Sequence, residues 1–89
     1  MNFVETTIDL GEVKMGEKKH IFFAKTPECK KITAWSGCWC QNISNETSHL
    51  HITWTVGDTA GTVAKNVIVK YEDGTAEILK TTAVVRGLA

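Results

Sequence analysis

The chain has 89 residues, with 10 Lys plus Arg against 10 Asp plus Glu and a formal net charge of zero. That length holds one domain, taken as residues 1–89, and the balanced charge argues against the basic surface that nucleic-acid binding requires. At 43% hydrophobic and 22% charged the composition is that of a folded globular domain, with no apolar run long enough for a membrane span or a signal-peptide core.

In chain order, residues 7–13 read as a short strand, and Lys14-Met15-Gly16-Glu17 as the turn after it. Residues 19–25 form a second strand, closed by Thr26-Pro27-Glu28. Residues 32–40 form the next, with Gly37 as a bulge or twist point. Asn42-Ile43-Ser44 and Asn45-Glu46-Thr47 are glycosylation sequons by pattern, and here they read as a polar turn between strands. Leu50, Ile52, Trp54 and Val56 alternate with His49, His51, Thr53 and Thr55, the period of a half-buried strand. Val67, Val69 and Tyr71 alternate with Ile68, Lys70 and Glu72, and Asp73-Gly74 supplies a hairpin turn because that pair tolerates positive φ. Residues 76–86 return as a strand rich in Thr and Val. No window carries an apolar stripe of helical period. Turn signals every 8–14 or so residues predict an all-β sandwich or small barrel of six or seven strands.

Three segments carry a family resemblance. Ile8-Asp9-Leu10-Gly11-Glu12-Val13, Gly16-Glu17 and His20-Ile21-Phe22-Phe23 look like the opening of the bacterial Hydin-like immunoglobulin domains. Ser36-Gly37-Cys38-Trp39-Cys40 is similar to that family's S-C-G-C strand end, with Trp39 in place of glycine. Ile43-Ser44-Asn45-Glu46-Thr47-Ser48 resembles its I-x-P-G-E-S turn, without the proline and glycine. The resemblance runs through nearly the whole chain. It implies a seven-stranded, antiparallel immunoglobulin-like sandwich with adhesive or scaffolding roles and no catalytic residues. A minimal, free-standing domain of this kind also resembles the small accessory and decoration modules of tailed-phage virions.

The three cysteines, Cys29, Cys38 and Cys40, are an odd number, and with no leader evident they read as free thiols of a reducing cytoplasm. The sharpest chemical constellation is Cys38-x-Cys40 with His49-x-His51. Paired in register as 40:49 and 38:51, the four side chains would share a face as a Cys₂His₂ zinc set. Against it, the spacing is not that of a zinc knuckle. In the resembled family, moreover, these two strands belong to opposite sheets, which leaves the histidines facing solvent and the thiols packed as small hydrophobes. No cofactor is expected. Cys29 or Cys38 with His20, His49 or His51 could supply nucleophile and base, but no nucleophile elbow or phosphate loop accompanies them, and the expectation is a protein that is not an enzyme.

Three tryptophans are generous for this length, with Trp54 and Trp35 suited to the core. Apolar Ile21, Phe22 and Phe23 occupy both phases of one strand. Outward Ile21, Phe23 and Trp39 would make an exposed contact patch. Edge strands, the segment 1–7 and the residues 87–89 offer further pairing surfaces and a route to a homo-oligomer. The expected function is a structural, protein-interacting subunit of a larger assembly: first a phage virion accessory protein of capsid, neck or tail, second a bacterial scaffolding or adhesion domain, third a small metal-binding protein. Its expected partners are other proteins rather than nucleic acid or membrane, and its expected place is the virion or the cytoplasm.

Overall fold

The computed structural model describes residues 1–37 and 41–87. Seven strands form two sheets: β1 (Thr7–Lys14), β2 (Lys18–Ala24), β3 (Ile32–Ser36), β4 (Gln41–Asn45), β5 (His49–Thr55), β6 (Gly61–Tyr71) and β7 (Ala76–Arg86). One sheet has the order β1-β7-β6-β3, the other β2-β5-β4. This is an all-β, immunoglobulin-compatible sandwich of four strands on three. One pairing departs from the antiparallel expectation, because β1 runs parallel to β7. The chain enters against β2, through a bridge from Phe3 to Lys25, and then crosses to the other sheet.

Alternation along each strand builds the core between the sheets. From β2 and β5 come Ile21, Phe23, Leu50, Ile52 and Trp54, and from β6 and β7 come Val67, Val69, Tyr71, Leu79, Ala83 and Val85. Phe3 closes one side, its ring edge-on to Phe23 at 6.5 Å between centroids. Burying a side chain of this size is worth about 1.5–3 kcal/mol, so the segment before β1 is held by packing and is not free to pair elsewhere.

Among the described residues the β6–β7 hairpin is the longest pairing, from Gly61↔Val85 to Lys70↔Ala76. Its turn falls where Asp73-Gly74 predicts, with Gly74 at φ 87° and its amide donating to the Tyr71 carbonyl at 3.0 Å. Asp73 completes the turn by accepting from the amide and hydroxyl of Thr75. Gly37, just past β3, sits in a tight place. A Cβ there would lie 2.7 Å from Gln41 Oε1 and 3.0 Å from Ile43 Cδ1, so the tip of Gln41 would have to swing away and Ile43 to give slightly.

Two sequence expectations change here. The polar stretch 42–47 is not wholly a turn: Gln41–Asn45 is strand β4, which pairs with β5, and the turn shrinks to residues 46–48. Trp35 is not core. It pairs with Val69 on β3, the edge strand of its sheet among the described residues, and is 41% exposed.

Candidate functional site

Adjacent residues of β2 point to opposite faces, and β5 decides which is which. Ile21 pairs with Ile52 and Phe23 with Leu50, both core residues, while Phe22 pairs with His51. Ile21 and Phe23 are therefore 2% and 1% exposed, and Phe22 is 54% exposed. The expected outward patch of Ile21 and Phe23 is corrected: these two fill the core, and Phe22 stands outside. The third member, Trp39, lies outside the described residues, as do Cys38 and Cys40.

The zinc arrangement of Cys38, Cys40, His49 and His51 needed a hairpin pairing 40:49 and 38:51. β4 occupies that place instead, with Asn45 opposite Leu50 and Gln41 opposite Trp54. In this register His51 faces Ser44, and His49 lies beyond the end of the β4 pairing. Both histidines point out from the sandwich. Among the described residues no three His, Cys, Asp or Glu side chains are grouped to hold a metal ion.

The outer face of β2-β5-β4 instead collects the chain's three histidines around Phe22. His51 stacks on Phe22 with centroids 4.6 Å apart and planes 8° apart. The His51 and His20 rings lie 5.2 Å apart between centroids, with planes 27° apart. His20 Nδ1 and His51 Nε2 are 3.0 Å apart, a hydrogen bond in which one ring donates and the other accepts. His49 meets the edge of Phe22 at 5.2 Å and shares a 3.0 Å hydrogen bond with the Ser48 hydroxyl. The result is a partly apolar, aromatic platform held in place by ring stacking, of the kind that concentrates binding energy in few residues.

Sequence reasoning missed His20 and Phe22 as members of this face. The signal was present in β2 itself. One phase holds Lys19, Ile21 and Phe23, and the other Lys18, His20 and Phe22, so the phase carrying His20 is the more polar and belongs outside.

A second concave feature lies at one end of the sandwich, between the β2–β3 connection and the β4–β5 turn. This cleft of about 480 Å³ is lined by Lys25, Lys30, Lys31, Cys29 and Ser48, among others. Its cations are mostly engaged. Lys25 donates to Asn45 Oδ1 and the Glu46 carbonyl, each at 2.5 Å, and Lys30 pairs with Asp73 at 2.7 Å. Burial pushes the Cys29 thiol up, the direction that disfavours the nucleophilic thiolate.

No protein-family profile matches the chain, and no curated protein matches it. Among solved structures it is similar to the sialic acid binding region of a Streptococcus sanguinis SK1 adhesin, determined bound to 3'sLn, with a TM-score of 0.62 and 11% identity. The match covers 91% of this chain and 28% of that one, so the chain spans less than a third of the adhesin region. At that identity the likeness establishes a shared β-sandwich fold.

Proposed function

We infer that this domain is a non-catalytic interaction module of adhesive or scaffolding type, which holds a partner protein against the outer face of β2-β5-β4. The observation that carries the reading is Phe22, 54% exposed at the centre of a stacked aromatic platform. A large aromatic held rigidly in the open loses little side-chain entropy when covered, which makes it a good binding anchor. The shared fold with part of a bacterial adhesin supports the adhesive or scaffolding setting over that of a phage virion accessory subunit, and it agrees with the resemblance to Hydin-like immunoglobulin domains. Fold likeness does not transfer a ligand, so the sialylated glycan of the adhesin is not carried over.

The test is retention of the tagged chain on bacterial cells and, separately, on purified tailed-phage particles. The expected result is retention on cells that is lost with Phe22→Ala. Retention on virions alone would move the protein to the accessory-subunit reading. Retention unaffected by Phe22→Ala would remove this face from the function.

A further inference from the structure

Charge is unevenly spread over a chain that is neutral overall. On the outer face of β2-β5-β4 the ionisable side chains in the outward phase of β2 and β5 are Lys18, His20, His49 and His51. β4 adds Asn42 and Ser44, which carry no charge. Lys18, opposite Thr55, stands at one end of the face, and His49, opposite Ala24, at the other. At that second end Ser48 joins the face to the lysine-lined cleft. Its hydroxyl bonds His49 Nδ1, and it lines the cleft with Lys25, Lys30 and Lys31. Among the described residues no Asp or Glu lines the cleft. Lys30 is neutralised by Asp73, but among the described residues neither Lys18 nor Lys31 has an ion-pair partner. Lys25 bonds neutral oxygens, Asn45 Oδ1 and the Glu46 carbonyl. The acid on this face is Glu46, whose carboxylate accepts from the Ser44 hydroxyl at 2.6 Å. Of the acids around its rim, Glu17 pairs with Lys19 and Glu28 with the N-terminal amine. Glu5 falls where the chain crosses to the other sheet, between Val4, bonded to Ala24, and Thr6, bonded to Lys80.

We propose that the partner held on this face is an acidic protein segment, whose carboxylates meet Lys18, Lys25 and Lys31 around the Phe22 platform and which binds more tightly as the histidines gain charge. This rests on the docking reading above and adds to it the chemistry of the partner. The aromatic platform supplies the anchor, and charge complementarity around it selects the partner and speeds encounter. Acid strengthens the match. Imidazoles as a class take up protons between about pH 8 and pH 5, where the carboxylates of a partner are still ionised. The His20–His51 contact accommodates the first such proton. The ring that donates across the 3.0 Å contact takes the proton on its far nitrogen, and the hydrogen bond becomes charge-assisted. A second proton would have to enter the contact itself and would break it, so the pair brings one positive charge to the face before it opens. His49 brings another, its Nδ1 then donating to the Ser48 hydroxyl.

The experiment is fluorescence anisotropy of the purified chain with two rhodamine-labelled peptides. One is a short run of glutamates around two phenylalanines, and the control has glutamine in place of each glutamate. At about pH 5.5 and low salt the acidic peptide is expected to bind about tenfold or more tightly than the control. That preference should shrink about threefold or more at about pH 7.5, and likewise on adding salt at the lower pH. Lys18→Gln combined with Lys31→Gln, checked for fold by circular dichroism, should weaken the acidic peptide about threefold or more and leave the control within about twofold. Phe22→Ala should weaken both peptides alike, so it reports on the platform while the lysine variant reports on the partner's charge. Equal affinity for the two peptides, including no binding of either, would overturn the proposal. A preference that ignores pH or the lysine substitutions would do the same, as would tighter binding of a single-stranded oligonucleotide than of the acidic peptide. An acid preference lost while Phe22→Ala still weakens binding removes this proposal alone. A preference that Phe22→Ala leaves untouched removes the docking face together with it.

Discussion

Phe22 and Phe23 are consecutive on β2, yet one is 54% exposed and the other 1%. The same substitution at the two positions should therefore differ sharply in its cost. Phe23→Ala removes a ring packed edge-on against Phe3 and should cost about 3–5 kcal/mol of stability. Phe22→Ala removes a ring lying over histidines on an open face and should cost less than about 1 kcal/mol. Urea denaturation of both variants measures the difference; similar losses would contradict the assigned phase of β2.

Gly37 and Gly57 give a second paired comparison. A Cβ on Gly37 would press on Gln41, Ile43 and Val67, with the nearest atom at 2.7 Å, whereas one on Gly57 would meet nothing within 4 Å. Gly37→Ala should destabilise by about 1–3 kcal/mol through overpacking. Gly57→Ala should be neutral or stabilising by up to about 1 kcal/mol, because alanine narrows the unfolded ensemble. Thermal denaturation of the two variants distinguishes these outcomes.

Asp73 makes stability depend on acid. The hydrogen bond from Lys30, then those from Thr75, hold its carboxyl far below the usual carboxylate range. A group depressed in the folded state stabilises above its unfolded pKa, about 4, and that contribution is lost as pH falls below it. The wild-type midpoint in urea should therefore drop between pH 6 and pH 2 by more than that of Asp73→Asn. Equal drops would show that the pairing contributes nothing measurable.

Cys29 should alkylate slowly. Desolvation raises its thiol, so at pH 8 less of it is thiolate than in the unfolded chain. Peptide-resolved mass spectrometry after iodoacetamide treatment should show slower labelling of Cys29 in the native protein than in urea. Equal rates would place the thiol in open solvent.

The fold was legible wherever a strand's own pattern stated its phase. Leu50, Ile52 and Trp54 alternate with polar neighbours, and all three are core. β4 was hidden because Asn42, Ser44 and Asn45 are residues of turns by preference. They pair with β5 because that strand would otherwise lie at the sheet edge, and tertiary pairing overrides weak local propensity. β2 was misread because apolar Ile21, Phe22 and Phe23 fill both phases. Its orientation is fixed by Leu50 and Ile52 across the sheet, a relationship absent from the strand itself. The histidine platform was half legible. The outward histidines of β5 follow from alternation, but their meeting with His20 depends on the register between two strands 31 residues apart at that contact.

The parallel pairing of β1 with β7 also governs how the domain meets mechanical load. Residues before Thr7 and after Arg86 leave this pair at opposite ends, and tension between them runs along the strands. The backbone pairing of β1 with β7 lies across that direction, so it is loaded in shear and not peeled from one end. The register shift between Asp9 and Glu12 divides that ladder, so under such a load the pairs Thr7↔Lys80 to Asp9↔Thr82 and Glu12↔Val84 to Lys14↔Arg86 bear the shear as two groups.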